Sequence, residues 1–158
     1  MNTIATVRET LGDQWIPQIY EEKVRPQRTR SYELDVPERE NRTDILHTLL
    51  GVELKVGTRR IACPDLSTAR YLAVFARLGC TEIAVPYDIT VLPALGDELE
   101  TAWQRTLLVF AGLRKRSTPQ ARGRERAALI RGIRDAINKI GAGEMMPLFN
   151  TSTKQRKT

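Results

Sequence analysis

The alternation of apolar and polar residues is clearest in the middle of the chain, where it predicts a β-hairpin. Residues 52–56 alternate between apolar and charged side chains, which is the period of a strand that buries one face. Gly57 and Thr58 suit a two-residue turn, because glycine readily adopts the positive φ that such a turn needs at its first position. Residues 59–63 then form the return strand.

A helical period replaces this alternation over residues 66–78, where apolar side chains cover nearly the whole circumference of the predicted helix. Asp65 can cap its N-terminus, and Gly79 can take the left-handed conformation that commonly ends a helix. Residues 81–85 predict another strand. Because a helix that is apolar almost all round must be covered on more than one side, we expect a sheet on one side and the C-terminal helices on the other.

Two shorter segments before the hairpin set the predicted topology. Residues 31–36 alternate as a strand, and residues 43–50 have apolar positions at helical spacing between a Thr43 cap and Gly51. From residue 31 to residue 86 the elements follow the order β-α-β-β-α-β, which is the order of ferredoxin-like domains. The sequence therefore predicts an α+β fold, in which a C-terminal helical pair packs on a small mixed or antiparallel sheet.

The last third of the chain predicts this helical pair. Asp97 suits the start of the first helix, whose last turn is basic and complements the helix dipole. Thr118 followed by Pro119 suits the start of the second helix, and Gly141 suits its end. Apolar stripes on both helices indicate that they pack against the central helix.

The length of 158 residues fits one domain with a core of its own. We divide it into an N-terminal helix and connector (1–30), an α/β core (31–90), C-terminal helices of the same domain (91–141) and a disordered tail (142–158). The residues expected in one shared core are Leu54, Ile61, Leu72, Phe75, Ile83, Trp103, Leu107 and Ile133.

Positive charge is concentrated in the C-terminal part of the chain. The formal net charge is +6, and residues 1–90 hold 12 basic and 13 acidic side chains against 13 and 6 in residues 91–158. Such an asymmetry indicates an anionic partner, RNA or DNA. The candidate nucleic-acid-binding residues are Arg114, Lys115, Arg116, Arg122, Arg124, Arg126, Arg131 and Arg134. The alternative is that these charges only keep an exposed helix face solvated.

The helical period predicts how these side chains are arranged. At 100° per residue, Arg124 and Arg131 fall opposite the apolar stripe of the last helix, with Arg134 on its flank. Arg122 and Arg126 lie on the same side of the helix as the apolar stripe, one to two turns before the stripe begins. We therefore expect the first three to be exposed. The other two lie over the edge of the core or face a groove between the helix and the sheet.

Glu53-Leu54-Lys55 resembles the (D/E)xK half-motif of metal-dependent nucleases, in which carboxylates hold Mg²⁺ and the lysine assists the attacking water. Asp44 and Asp35 are the acidic residues that could complete it. Asp44 falls in the predicted short helix, Asp35 falls on a distant strand, and no Pro-Asp pair lies upstream. The same three residues also suit the exposed face of a hairpin, so we expect no metal-dependent cleavage.

Other chemistries lack the residues that they need. His47 is the only histidine, and it falls in the predicted short helix. Cys63 and Cys80 flank the central helix too far apart for a disulfide, and we expect both to be buried at strand ends. There is no zinc-ligand spacing, phosphate-binding loop, dinucleotide motif or nucleophile elbow. We therefore expect no cofactor and no metal.

The sequence favours a non-enzymatic nucleic-acid-binding or regulatory protein that acts through its basic C-terminal helices. A protein-binding adaptor or assembly factor is the first alternative, because no catalytic set is evident. A metal-dependent nuclease that uses Glu53 and Lys55 is the second. No apolar stretch reaches the roughly 20 residues of a membrane span, and the N-terminus lacks a secretory signal, so we expect a cytoplasmic protein.

Overall fold

The computed structural model describes residues 2–143, which form four helices of nine or more residues, one short helix and five strands. In chain order these are α1 (Thr3–Leu11), α2 (Ile16–Ile19), β1 (Thr29–Glu33), β2 (Thr43–Thr48), β3 (Gly51–Val56), β4 (Arg59–Cys63), α3 (Leu66–Leu78), β5 (Glu82–Pro86), α4 (Leu92–Leu113) and α5 (Pro119–Ile140). A π-helical turn, Tyr20–Val24, continues α2. Most of the tail predicted over residues 142–158, from residue 144 onwards, lies outside the described residues.

The strands form two small antiparallel sheets, which confirms the α+β class. One sheet has the order β2-β3-β4, and the other consists of β1 and β5. The ferredoxin-like order is not confirmed, because the element between β1 and β3 is a strand and the strands do not join in one sheet.

The helix predicted over residues 43–50 is wrong, since residues 43–48 form β2. Ile45 lies opposite Leu54 of β3 and packs against the core from the inner face of the sheet. The leucines of this segment do have helical spacing, but a helix of two turns is marginal by itself. Pairing with β3 satisfies the backbone along the whole segment.

The predicted hairpin and central helix are confirmed. β3 and β4 pair antiparallel around Gly57, which has a φ of 61°. The Asp65 side chain accepts a hydrogen bond from the Thr68 N–H at 2.7 Å and caps α3. Gly79 ends α3 in the left-handed conformation, with a φ of 79°.

The predicted start of α4 at Asp97 is too late, because the helix already begins at Leu92. Pro93 lies in its first turn, a position where proline is compatible with a helix. Asp97 instead forms an ion pair with Arg70 of α3. The predicted start of α5 is confirmed, since the Thr118 hydroxyl accepts a hydrogen bond from the Ala121 N–H at 3.1 Å.

The core is built around α3, which contacts the three-stranded sheet, α4 and α5. Phe75 is fully buried, and its ring centroid lies 5.6 Å from that of Tyr20 and 5.2 Å from that of Tyr71. Six of the predicted core residues are buried, namely Leu54, Leu72, Phe75, Ile83, Trp103 and Ile133. Ile61 and Leu107 are partly buried and pack against the same core.

Two tyrosine hydroxyls bond the backbone of β5 at Ala84. The Ala84 N–H donates to the Tyr20 hydroxyl at 2.9 Å, and the Tyr71 hydroxyl donates to the Ala84 carbonyl oxygen at 2.7 Å. The Tyr20 hydroxyl in turn donates to the carbonyl oxygen of Gly141 at 2.7 Å. Burial raises the pKa of both tyrosines, so both remain donors. Tyr20 thereby joins the second sheet to the end of α5.

Candidate nucleic-acid interface

A short connection between α4 and α5 carries the first predicted cations. The Ser117 N–H donates to the Arg114 carbonyl oxygen at 3.1 Å, and Thr118 caps α5 directly afterwards. This tight turn leaves Lys115 and Arg116 exposed between the two helices.

Five of the eight predicted residues remain available to a partner. Lys115, Arg116, Arg124 and Arg131 are exposed, and Arg122 is half-buried. Within residues 2–143, none of these five forms an ion pair with a carboxylate. We refer to them as the free cations.

The prediction that Arg134 is exposed is wrong. Only 8% of this residue is accessible, and its Nη1 donates to the carbonyl oxygen of Leu78 at 3.0 Å. Arg134 lies four residues after Ile130 and three before Ile137, which are both buried in the stripe of α5. The same spacing, visible in the sequence, could have identified Arg134 as a buried residue.

Two further candidates are paired within the fold. Arg114 forms an ion pair with Glu125 and donates to the hydroxyl of Thr3 on α1. Arg126 donates from Nε to Glu40 at 2.8 Å, and this bond raises the pKa of its guanidinium group. Both arginines therefore stabilise the packing of α5 against other segments.

Arg126 also lines a groove of about 440 Å³ between the C-terminal helices and the residues before β2. Trp103 and Leu107 of α4 contribute its apolar lining, and Arg42 faces it from the other side with 89% of its side chain exposed. This is one of the two placements predicted for Arg126. Arg42 was not a sequence candidate, because it belongs to a charged segment that the pattern leaves between predicted elements.

The (D/E)xK residues lie on the outer face of the three-stranded sheet, which is the face away from α3. Glu53 and Lys55 point outward, since Leu54 between them is fully buried. Asp44 lies directly opposite Lys55 on the neighbouring strand, and Arg60 lies opposite Lys55 on the other side. Residues opposite one another in an antiparallel pair share a face. The expectation that Asp44 lies on a helix away from Glu53 is therefore wrong.

The outer face also carries Leu46 and Ala62, which lie opposite Glu53, and its charges are partly paired. Glu53 Oε1 lies 3.4 Å from Arg60 Nη1, and Asp44 Oδ2 lies 3.8 Å from Arg42 Nε. The side chain of Glu53 is 26% exposed and that of Asp44 is 51% exposed. The two-residue turn at Gly57 would have identified Arg60 from the sequence, because that turn fixes the register that places it beside Lys55.

The remaining candidates do not join this face. Asp35 forms an ion pair with Arg59 and does not lie on the outer face. His47 is exposed on β2 rather than on a helix. Cys63 and Cys80 are buried free thiols, as predicted, and burial raises the pKa of both, to about 12 for Cys80. Within the described part of the chain, no three His, Cys, Asp or Glu side chains form a group that could hold a metal ion.

No helix among residues 2–143 is long and apolar enough to cross a membrane. Comparisons with protein-family models, curated proteins and solved structures gave no match.

Proposed function

We propose that the protein binds nucleic acid through the free cations of the α4–α5 region, without cleaving it. The proposal rests on one observation, namely that some of the eight basic candidates are paired or buried within the fold and the others are not. Arg114, Arg126 and Arg134 are used to hold the fold together, whereas the five free cations have no carboxylate partner within residues 2–143.

The physical reason for the proposal is the behaviour of exposed cations towards phosphates. An unpaired guanidinium group near the surface displaces counterions from a nucleic acid, and their release favours binding. A guanidinium group that already contacts a carboxylate gains less free energy when it binds a phosphate. Arg124 and Arg131 are seven residues apart on α5, so they lie on nearly the same side of the helix. Lys115 and Arg116 extend the positive charge at the N-terminal end of α5.

The test is a pair of double variants that remove equal charge. Arg124→Gln with Arg131→Gln removes two free cations. Arg28→Gln with Arg30→Gln removes two exposed cations near the opposite end of α5, where Arg25 bonds Gly143. Affinity for short RNA and DNA duplexes and single strands is measured by fluorescence anisotropy as a function of salt. The melting temperature of each variant is measured beside it.

We expect the first variant to bind more weakly and to reduce the slope of log affinity against log salt by about one unit per lost phosphate contact. The Arg124→Gln with Arg131→Gln variant should melt like the wild type, because exposed substitutions usually change stability by no more than about 0.5 kcal/mol. The control also loses the cation–π contacts of Arg28 with Tyr87 and of Arg30 with Tyr32, each worth about 0.5–1 kcal/mol at an exposed site, so its melting temperature should fall slightly. Equal weakening in both variants would contradict the assignment to α5. Binding of a polypeptide with little salt dependence, and of no nucleic acid, would favour the adaptor alternative.

A second candidate function is metal-dependent cleavage of a phosphodiester at the outer face of the sheet. The register that places Asp44 opposite Lys55, with Glu53 on the same face, favours it. Two carboxylates suit Mg²⁺, which commonly keeps several waters and takes further ligands from a substrate phosphate. Asp44 and Glu53 would hold the ion, which supplies positive charge to the phosphate. Lys55 would then lie beside the attacked phosphate or water.

Incubation of labelled DNA and RNA with the protein, with Mg²⁺ or Mn²⁺ and with chelator, tests this candidate. If it is right, Glu53→Gln abolishes cleavage, and Glu33→Gln, which changes an exposed glutamate on β1, leaves it unchanged. Cleavage that survives Glu53→Gln would exclude this site. Absence of cleavage with either metal would remove the candidate and leave the non-enzymatic proposal.

A further inference from the structure

The first half of α5 projects from the core of the protein. None of its residues 119–128 is buried, whereas the five buried residues of the helix all lie within 129–137. Ion pairs of Glu125 and Arg126 attach the first half to other segments. This half therefore exposes more of its circumference than the rest of α5, and it can enter a concave partner.

The charge around this half of α5 is positive, and no carboxylate in the stretch is left unpaired. Glu125 is the one acidic residue within 114–128, and it forms an ion pair with Arg114. The stretch contains four of the free cations, namely Lys115, Arg116, Arg122 and Arg124. Charge complementarity therefore favours an anionic partner over a neutral or basic one.

The same stretch lacks the side chains with which proteins bind other anionic partners. Residues 114–128 include no aromatic residue and no leucine, isoleucine, valine or methionine. Proteins that bind single-stranded nucleic acids stack the bases on aromatic side chains, and the centre of a protein interface is apolar. A nucleic-acid duplex presents phosphates and the polar edges of its bases, so its recognition needs neither kind of side chain.

We propose that the projecting half of α5 enters the major groove of duplex DNA and that Gln120 recognises a base edge there. This inference rests on the proposed nucleic-acid binding and names the nucleic acid as a B-form duplex. The major groove of B-DNA is about 12 Å wide and admits an α-helix, whose diameter is about 10–12 Å. The major groove of an RNA duplex is deep and narrow, so side chains cannot read its bases.

The exposed side of this half carries side chains that suit a groove. Gln120 and Arg124 are exposed four residues apart, which places them on one side of the helix. The Gln120 side chain forms no hydrogen bond within residues 2–143, and a glutamine amide can bond both N6 and N7 of an adenine. Gly123 and Ala127 are exposed and small, so the helix backbone can come close to the bases.

Cations on both sides of Gln120 would hold it at the bases. Lys115 and Arg116 lie in the turn before it, and Arg131 lies about 16 Å after it at 1.5 Å per residue. Phosphate contacts fix the register of a protein on a duplex, and base contacts then supply specificity. The N-terminal residues of a recognition helix contact the base edges, and Gln120 is the second residue of α5.

The experiment uses the full-length protein and a pool of DNA duplexes with a randomised central segment. The most enriched sequence is then prepared as a DNA duplex, an RNA duplex and a DNA single strand, beside a scrambled DNA duplex. Fluorescence anisotropy gives the affinity for each as a function of salt. The test variant is Gln120→Ala, and the control is Gln104→Ala, which shortens an exposed glutamine on α4. Neither change alters the charge or the core, so both variants should melt like the wild type.

We expect the wild type and Gln104→Ala to bind the enriched DNA duplex more tightly than the scrambled duplex, the RNA duplex and the single strand. Gln120→Ala should bind the enriched duplex about 5- to 150-fold more weakly, because a bidentate contact to a base supplies discrimination of that size. Its slope of log affinity against log salt should equal that of the wild type, since no phosphate contact is lost.

Equal affinity for the DNA and RNA duplexes, or a pool without an enriched sequence, would overturn recognition in the groove and leave binding to phosphates intact. Tighter binding to the single strand would do the same. Unchanged affinity of Gln120→Ala for the enriched duplex would overturn the role of Gln120. Absence of binding to all of these nucleic acids would overturn both this inference and the proposed function.

Discussion

Arg134 donates a hydrogen bond to the carbonyl oxygen of Leu78 at 3.0 Å and thereby completes the C-terminal end of α3. The last four carbonyl groups of a helix have no partner within it. The other three accept backbone N–H groups, namely Phe75 from Cys80, Ala76 from Gly79, and Arg77 from Asn41. The positive charge of Arg134 also lies at the negative end of the helix dipole. A residue predicted to contact nucleic acid thus secures the central helix.

Replacement of Arg134 by Met should destabilise the protein by about 1–3 kcal/mol, because the buried carbonyl oxygen of Leu78 would lose its donor. Arg131→Met is the matched control, since Arg131 is exposed on the same helix. Its effect should stay within about 0.5 kcal/mol. Urea unfolding followed by circular dichroism measures both free energies. Equal effects would mean that the Arg134 bond adds nothing to stability.

Replacement of Gly79 by Ala should destabilise the protein by at least about 1–2 kcal/mol, the cost of a left-handed conformation for a residue with a side chain. An added Cβ would also lie 2.4 Å from the backbone N and O atoms of Arg39. Gly123→Ala is the opposite control. Gly123 is exposed within α5 with no atom within 4 Å of its Cβ position, so alanine there should stabilise the helix by up to about 1 kcal/mol. Thermal melting of the two variants should therefore move in opposite directions.

Removal of the Tyr20 hydroxyl by Tyr20→Phe should cost about 1–3 kcal/mol, because the N–H of Ala84 and the carbonyl oxygen of Gly141 both lose a buried partner. Tyr32→Phe provides the comparison. The hydroxyl of Tyr32 forms no hydrogen bond within residues 2–143, and its loss should have little effect. Hydrogen exchange of the Ala84 amide should accelerate only in the Tyr20 variant. Unchanged exchange there would contradict the role assigned to the Tyr20 hydroxyl.

The stability of the protein should fall as the pH rises above 9. Burial raises the pKa of the Cys80 thiol from 9.0 to about 12, so the folded state keeps a proton that the unfolded state releases between these values. This contribution is fully present below pH 9 and is lost towards pH 12. The slope approaches about 1.4 kcal/mol per pH unit. Cys63 and the buried tyrosines, whose pKa values burial also raises, add to the slope of both proteins, so the difference between the two profiles reports Cys80. Between pH 9 and 10, Cys80→Ala should have a flatter profile of unfolding free energy than the wild type. An identical slope would show that Cys80 is not protected in solution.

Replacement of Phe75 by Ala should cost about 3–5 kcal/mol, the range for a buried aromatic side chain. Phe75 is fully buried on the helix that contacts the sheet and α4 and packs against two tyrosine rings. Leu108→Ala, at an exposed position of α4, should change stability by less than about 0.5 kcal/mol. Chemical denaturation gives both values. A loss below about 1 kcal/mol for Phe75→Ala would mean that α3 is not the centre of the core.

Local signals in the sequence were sufficient for the hairpin, for α3 and for α5. The turn at Gly57, the cap at Asp65 and the stop at Gly79 each depend on neighbours within about four residues. The start of α4 was missed, because Asp97 is a good cap by type but Pro93 permits an earlier start. For the candidate interface, the helical period predicted the exposure of Arg124 and Arg131, whereas for Arg126 it left open two placements, of which the structure shows the groove.

By itself, the sequence therefore determined the elements whose start, period and end depend on neighbouring residues. It also determined that basic residues are concentrated in the C-terminal helices. Only the tertiary structure decided that residues 43–48 pair with β3, since short apolar segments satisfy either a helix or a strand until a partner strand is present. It also decided which groups the paired arginines contact. The partners of Arg134 and Arg126 are Leu78 and Glu40, which lie far away in sequence. The helical period of α5 contains no information about these partners, because the carbonyl and carboxylate groups come close to α5 only when the chain folds.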